Sequence, residues 1–284
     1  MLHSMLEDQA AGLRRMLGKQ DTKKFVVLSA IPATHKNNLI FNLASTLIRM
    51  GNSTHLLDTR IDYSGVSSKL TQLITYNLWD LSVQNKPIEN AYYEFMQGGR
   101  VSHLGRQPTQ EMLNQTSKLE LLSSNIKSLN EESNIWLLDS ELRLDNPFLI
   151  PEYSESDVIL IVSSSPNSIK SGYSQLKHIA NTVGRKKVSL LVHQSDEIQS
   201  QLIYKNISNA AKNYLSIPLS FLGNIPNDEY LSKSQLLGKS IIDAFPLSKS
   251  ANAFKNITEL LTDQKLKQQY VAKPSTPQSL VLEH

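Results

Sequence analysis

Apolar and polar positions divide the chain into two kinds of segment. Six short runs are rich in branched apolar residues, and runs such as VILIV and VSLLV are apolar at every position. Strands buried on both faces within a parallel sheet have this pattern, whereas half-buried strands alternate. The predicted strands are residues 25–29, 54–58, 134–139, 158–163, 188–193 and 219–222.

Longer segments with helical periodicity separate these runs. The predicted helices are residues 38–49, 169–183, 198–214, 228–243 and 251–261. Strands that alternate with helices form a mostly parallel sheet with helices on both faces, joined by right-handed crossovers. The sequence therefore predicts a doubly wound α/β fold, and the 284-residue length fits a single domain of this kind, spanning residues 21–262.

Two terminal segments lie outside the alternation. Residues 3–19, HSMLEDQAAGLRRMLGK, predict a short amphipathic helix within an N-terminal segment of residues 1–20. Its apolar face consists of Leu6, Ala10, Leu13 and Leu17. Residues 263–284 are polar, contain two prolines and predict a flexible tail, and the final three residues resemble the start of an expression tag.

Composition excludes several classes of protein. The net charge of +3 comes from 29 basic and 26 acidic residues, which argues against an extended nucleic-acid surface. The chain has no cysteine, so disulfides and thiolate metal sites are excluded, and no apolar run approaches the ~20 residues that span a bilayer. No carboxylate and histidine cluster has metal-ligand spacing. We expect a cytoplasmic protein without a metal site.

The segment FVVLSAIPATHKNNLIFNLASTLIRMG places a strand, a loop and a helix in the order that a phosphate-binding loop requires. Such loops need glycines that let backbone N–H groups converge on phosphate, a lysine, and a hydroxyl for Mg²⁺. Lys36 stands at the lysine position, but Pro32 lacks an N–H and His35 brings a side chain towards the phosphate. Asn37 replaces the hydroxyl. The loop is thus degenerate.

These residues resemble the MinD/ParA family of deviant P-loop ATPases over about residues 22–262. Matching positions are Asn38, Asn42, Leu43, Ala44 and Gly51, together with a Gly-x-Ile-Pro-x-Asp turn at residues 223–228. The resemblance implies a P-loop NTPase-like fold and a vestigial ATP site. Its implied residues are Lys36, Asn37, Asp58, Asp139 and Pro226, the last lining an adenine pocket.

The same resemblance implies that the catalytic parts are missing. The family's signature lysine falls on Ile31, its water-positioning aspartate on Arg60, and its γ-phosphate-sensing glycine on Arg143. Arginine cannot act as the base, and Asp62 offers an alternative carboxylate only after a shift of two residues. We therefore expect that ATP hydrolysis is lost and that no cofactor is resident; residual binding of ATP and Mg²⁺ is left open.

A second motif precedes the domain. Residues 8–14, DQAAGLR, resemble the DQAxxLR motif of the FlhG (FleN, YlxH) branch, whose members set the number and placement of bacterial flagella. The resemblance implies that this segment binds the SRP-type GTPase FlhF and stimulates its GTP hydrolysis. The implied partner-binding residues are Asp8, Gln9, Ala10, Leu13 and Arg14.

Several alternatives stay open at the level of sequence. The chain could be an active, ATP-switched MinD/ParA-type ATPase used in polar localisation or partitioning. The apolar face of Phe254, Ile257, Leu260 and Leu261 is typical of a core helix, so contact with the inner membrane or cell pole is left open. A homodimer, flagellar basal-body or switch proteins and a flagellar transcription regulator are further candidate partners.

Overall fold

A computed structural model describes residues 22–60, 64–69, 76–84, 86–105, 116–130, 133–142, 153, 155–184 and 186–262. These residues form an eight-stranded sheet. Its strands are β1 (Lys23–Ser29), β2 (Thr54–Asp58), β3 (Tyr92–Met96), β4 (Gly99–His103), β5 (Ile135–Asp139), β6 (Asp157–Ser163), β7 (Val188–His193) and β8 (Leu219–Ile225). They lie in the order β3-β4-β2-β5-β1-β6-β7-β8, and only the β3–β4 pair is antiparallel among these strands.

Helices cover both faces of the sheet. They are α1 (Ala33–Arg49), α2 (Leu78–Gln84), α3 (Thr116–Asn130), α4 (Pro166–Thr182), α5 (Glu197–Leu215), α6 (Glu229–Leu236), α7 (Ile241–Ala244) and α8 (Lys249–Leu261), with 3₁₀ turns at Val66–Lys69 and Ile88–Ala91. Alternate residues of β1 enter opposite cores: Val26 and Leu28 join one cluster, and Phe25 and Val27 the other. Helix α1 packs on the second cluster through Leu39 and Leu43. The predicted doubly wound fold is confirmed.

Three features differ from the sequence-based expectation. Helix α1 begins at Ala33 rather than residue 38, because Pro32 supplies an extended N-cap with φ −55°. The single helix predicted at 228–243 is two helices, α6 and α7, separated by a turn in which Gly238 has φ +62°. Helices α2 and α3 and the β3–β4 hairpin were not predicted.

Some predicted features lie outside the described residues. These are the N-terminal positions Asp8, Gln9, Ala10, Leu13 and Arg14, the tail 263–284, and the single positions Asp62 and Arg143. The division into segment, domain and tail therefore stays a prediction. Within the described ranges, no helix is long and apolar enough to cross a membrane.

Candidate functional site

The candidate site lies where β1, β2 and β5 end, next to the first turn of α1. Strands β2 and β5 are parallel and in register, which places Asp58 beside Asp139 at their last paired position. Asp139 is also the register partner of Val27 in β1. Parallel strands bring their carboxyl ends to one edge of a sheet, the edge at which ligands bind in open α/β folds.

Lys36 and Asp139 form a buried ion pair at this edge. The ammonium of Lys36 donates to Oδ1 of Asp139, and the two side chains are 2% and 0% exposed. Oδ2 of Asp139 accepts from the backbone N–H of Val66 at 2.6 Å. Burial raises the pKa of Asp139 to about 6; the positive charge of Lys36 opposes this rise, and the carboxylate of Asp58 adds to it.

Residues 64–67, which we call the strap, cross the site above the two carboxylates. Val66 of the strap bonds Asp139, as described above, and Ser67 bonds Asp58. Asn37 bonds the backbone at the start of the strap. The bonds are Ser67 N and Oγ to Asp58 Oδ2 (3.0 and 2.6 Å), Arg60 N to Asp58 Oδ1 (3.0 Å), and Asn37 Nδ2 to the carbonyls of Ser64 and Gly65 (2.8 Å each). A Cβ built on Gly65 would collide with the Asp58 carboxylate, so a larger residue there requires the strap or Asp58 to move.

Four backbone donors of the loop are also engaged within the protein. In a phosphate-binding loop these N–H groups point at phosphate oxygens. Here Ala30 N donates to Ile161 O (2.8 Å), Ile31 N to Ser29 Oγ (3.1 Å), and His35 N and Lys36 N to Pro32 O (3.1 and 3.0 Å). Since Pro32 has no N–H, the loop provides no nest of converging donors along these residues.

Two of the predicted degenerate positions, Ile31 and Arg60, are described, and both line a cavity of about 360 Å³ that also borders Lys36. Ile31 is partly buried and packs against the core cluster on the α1 side of the sheet. Arg60 pairs with Glu141, with 3.2 Å between Nη2 and Oε2, and its side chain is 15% exposed. The guanidinium is thus neutralised by a carboxylate of its own chain.

Next to the site lies a second opening, a cleft of about 310 Å³. Pro226 lines it, as do His35 and His193. The two imidazoles are joined by a hydrogen bond between Nδ1 of His35 and Nε2 of His193, 3.2 Å apart. Burial lowers the pKa of His193 to about 4, and the charge of His35 adds to this effect. His193 is therefore neutral at pH 7.

The resemblance implies ATP with Mg²⁺ as the ligand of this edge. In this arrangement the ammonium of Lys36 is bound to Asp139, four loop amides bond the chain itself, and Asp58 and Asp139 accept bonds from the strap. Among the described residues, no group of three or more histidine or acidic side chains is arranged to hold a metal ion. The cleft beside Pro226 remains open.

The geometry adds residues that the sequence pattern did not indicate. Gly65, Val66 and Ser67 act largely through backbone groups, which leave no side-chain signal. Asn42, a family-pattern residue, has a structural role: it is fully buried, and its Oδ1 accepts from Ile241 N at 2.6 Å. Its Nδ2 donates to Asn38, so Asn42 connects α1 to α7.

Comparison with known proteins identifies the class. No protein-family model matches the chain. The fold is similar to MinD of Aquifex aeolicus (TM-score 0.62, 16% identity, 85% of this chain and 98% of that one) and to the MinC:MinD complex of the same organism (TM-score 0.66, 15% identity, 90% and 99%). A ParA family ATPase of Chlorobium tepidum gives a TM-score of 0.56 at 16% identity, over 84% and 98%. The protein has the MinD/ParA fold.

Similarity in sequence adds two relatives to these structural neighbours. The antiactivator FleN of Pseudomonas aeruginosa is 21% identical over 226 residues, which cover 79% of this chain and 80% of FleN. An uncharacterized ATP-binding protein of Methanocaldococcus jannaschii is 24% identical over 252 residues, 87% of this chain and 90% of that protein. The predicted resemblance to the MinD/ParA family and to its FlhG (FleN) branch is confirmed.

Proposed function

We propose that this protein is an FlhG-like regulator of flagellar number and placement that works as a pseudo-ATPase. It binds the SRP-type GTPase FlhF through residues 8–14 and stimulates GTP hydrolysis. The observation that carries the pseudo-ATPase part is the set of internal bonds at the site: the Lys36–Asp139 pair and the strap engage groups that would otherwise hold ATP and Mg²⁺. Similarity to an antiactivator FleN supports the regulatory part.

Opening the site to nucleotide has a definite energetic cost. A triphosphate would have to compete with Asp139 for the ammonium of Lys36, and each hydrogen bond of the loop or strap that it displaces costs about 1 kcal/mol. We infer that the protein is constitutive and that its partners set its state.

The N-terminal segment supplies the groups that a GTPase site can use. Arginine stabilises the charge that develops on the transferred phosphoryl group, and a glutamine can orient the attacking water. Gln9 and Arg14 are the matching residues of residues 8–14. An amphipathic helix can bury its apolar face on a partner and present such groups to a neighbouring active site.

The test compares GTP hydrolysis by FlhF with the full-length chain and with its Gln9→Ala and Arg14→Ala variants. We expect each substitution to lower the stimulation on the order of tenfold or more, while Arg15→Ala, the adjacent arginine, leaves it nearly unchanged. Stimulation should not depend on added ATP. Equal stimulation by the Arg14→Ala and Arg15→Ala variants would contradict the assignment of the motif.

An active ATP-switched ATPase for polar localisation or partitioning is the alternative. The open cleft beside Pro226 favours it, because a base could enter there without disturbing the strap. Calorimetric titration with a non-hydrolysable ATP analogue and Mg²⁺ separates the two. Micromolar binding, with hydrolysis of ATP, supports the alternative; absence of binding up to millimolar ligand supports the pseudo-ATPase.

A further inference from the structure

A groove of about 630 Å³ lies at the amino edge of the sheet, opposite the candidate site. The first residues of β1, β6 and β7, residues of β8 and the last turn of α8 line it. Its volume falls in the range of about 300–1,000 Å³ that is typical of binding pockets. Residues of its apolar part include Phe25, Phe221, Leu222, Leu260 and Leu261.

Two residues of the apolar part, Leu260 and Phe221, are accessible to a partner, whereas Phe25, Leu222 and Leu261 belong to the buried core. Leu260 is 45% exposed although it lies on the same helix as the buried Phe254 and Ile257. Phe221 is only partly buried. At the rim, Lys187 pairs with Asp157 at 3.1 Å. An apolar surface with a charged rim suits one face of an amphipathic helix.

The position of the chain's own N-terminal segment identifies the occupant. Thr22, the first described residue, lines this groove. Residues 1–21 therefore continue from the groove itself, and residues 18–21 span at most about 14 Å, enough for residues 3–17 to fold back over it. Tethering at this distance gives an effective concentration in the millimolar range.

The C-terminal tail also leaves the domain near the groove, after Leu261. Its sequence, however, is polar and contains Pro274 and Pro277, and it lacks an apolar helical face. Residues 3–19 have such a face, formed by Leu6, Ala10, Leu13 and Leu17. The N-terminal segment is the better match.

We propose that the apolar face of residues 3–19 docks in this groove of the same molecule. Ala10 and Leu13 belong to the residues proposed to contact FlhF, so docking would hide them from the GTPase until the two proteins meet. The docking does not depend on the function proposed above, whereas its inhibitory effect on stimulation rests on it.

Disulfide trapping in the full-length chain tests the docking, since the protein contains no cysteine of its own. The test variant carries Leu13→Cys and Leu260→Cys. The control carries Leu13→Cys and Asn134→Cys: Asn134 is exposed and its carbonyl accepts a hydrogen bond from Lys23 N, so it also lies near the tether but does not line the groove. We expect the groove pair to form an intramolecular disulfide about tenfold faster.

Two further comparisons make the result specific. Moving the first cysteine from position 13 to position 15, the opposite face of the predicted helix, should remove the advantage of the groove pair. Without the cysteines, Leu260→Glu should raise the stimulation of FlhF several-fold without changing the Tm. Equal trapping rates for groove and control pairs, or for positions 13 and 15, overturn the docking. Selective trapping in a chain that never stimulates FlhF would uphold the docking and refute the proposed function.

Discussion

The ammonium of Lys36 bonds the carboxylate of Asp139 in the interior of the protein, where both side chains are almost completely excluded from solvent. The pair joins the first helix to the end of the central strand β5. In a working phosphate-binding loop the lysine would neutralise phosphate. Here the lysine is paired with a carboxylate of its own chain, which gives the pair consequences that can be measured without any ligand.

A double-mutant cycle on Lys36 and Asp139 should show strong coupling. Lys36→Met or Asp139→Leu alone leaves an unpaired buried charge, so each should lower the free energy of unfolding by about 3–5 kcal/mol. The double variant should lose much less than the sum, because no charge is left unpaired. Urea unfolding measures all four proteins.

The exposed pair Lys233–Glu229 provides the control for this cycle. Its side chains are 51% and 68% exposed, and its N–O distance is 3.0 Å. Solvent screening should reduce its coupling to about 0.5 kcal/mol or less. If the losses of stability at Lys36 and Asp139 were additive, with a coupling energy as small as that of the exposed pair, the two residues would not be coupled by a buried ion pair.

Gly65→Ala tests the fit of the strap. The added Cβ would collide with the Asp58 carboxylate, so either the strap or Asp58 must move, and the free energy of unfolding should fall by about 1–3 kcal/mol. In an Asp58→Ala background the same substitution should cost clearly less, because the colliding group is gone. Chemical unfolding of the four proteins measures this difference. An equal cost in both backgrounds would mean that the strap does not press on Asp58.

The elements that were predicted from the sequence are those marked by a pattern of residues within one short stretch of the chain. Strands β1, β6 and β7 are buried on both faces, so continuous apolar runs marked them. The hairpin of β3 and β4 was missed because β3 is an edge strand without fully buried residues. Lys36, Asp58 and Asp139 were found through motif positions, whereas the strap was not, since it binds them mainly through backbone N–H groups from residues distant in sequence.

Asn42→Ala should destabilise the protein, although Asn42 matches a family pattern associated with nucleotide binding. Its removal leaves the N–H of Ile241 buried without an acceptor, which costs about 1–3 kcal/mol. Asn38→Ala is the matched control, because Asn42 keeps its bonds to Ile241 and to the carbonyl of residue 38. Thermal unfolding should show a clear drop in Tm for the first variant and a small one for the second. A reversed order would assign Asn42 to a role other than joining α1 to α7.

Two buried histidines make stability dependent on pH. Burial, with the charge of Arg100 adding, lowers the pKa of His55 from 6.5 to about 3, and burial lowers that of His193 to about 4. His55 stacks on Trp136 with ring centroids 4.0 Å apart, and its Nε2 bonds Ser102 Oγ at 2.7 Å. Both rings stay neutral in the native state at pH values where the unfolded chain is protonated.

The direction in which stability changes with pH follows from the number of protons that each state binds. Below pH 6.5 the unfolded state binds more protons at these two sites, so the free energy of unfolding falls as the pH is lowered, by roughly 1.4 kcal/mol per pH unit for each histidine. Asp139, with its raised pKa, raises the free energy of unfolding as the pH falls between about pH 6 and 4.

The difference in stability between the wild type and a His55→Gln variant cancels the contributions of Asp139 and His193. Urea unfolding from pH 8 to 4.5 should give parallel stability curves above pH 7, and below pH 6.5 the wild type should lose stability faster than the variant; curves that stay parallel throughout would show that His55 is protonated in the native state.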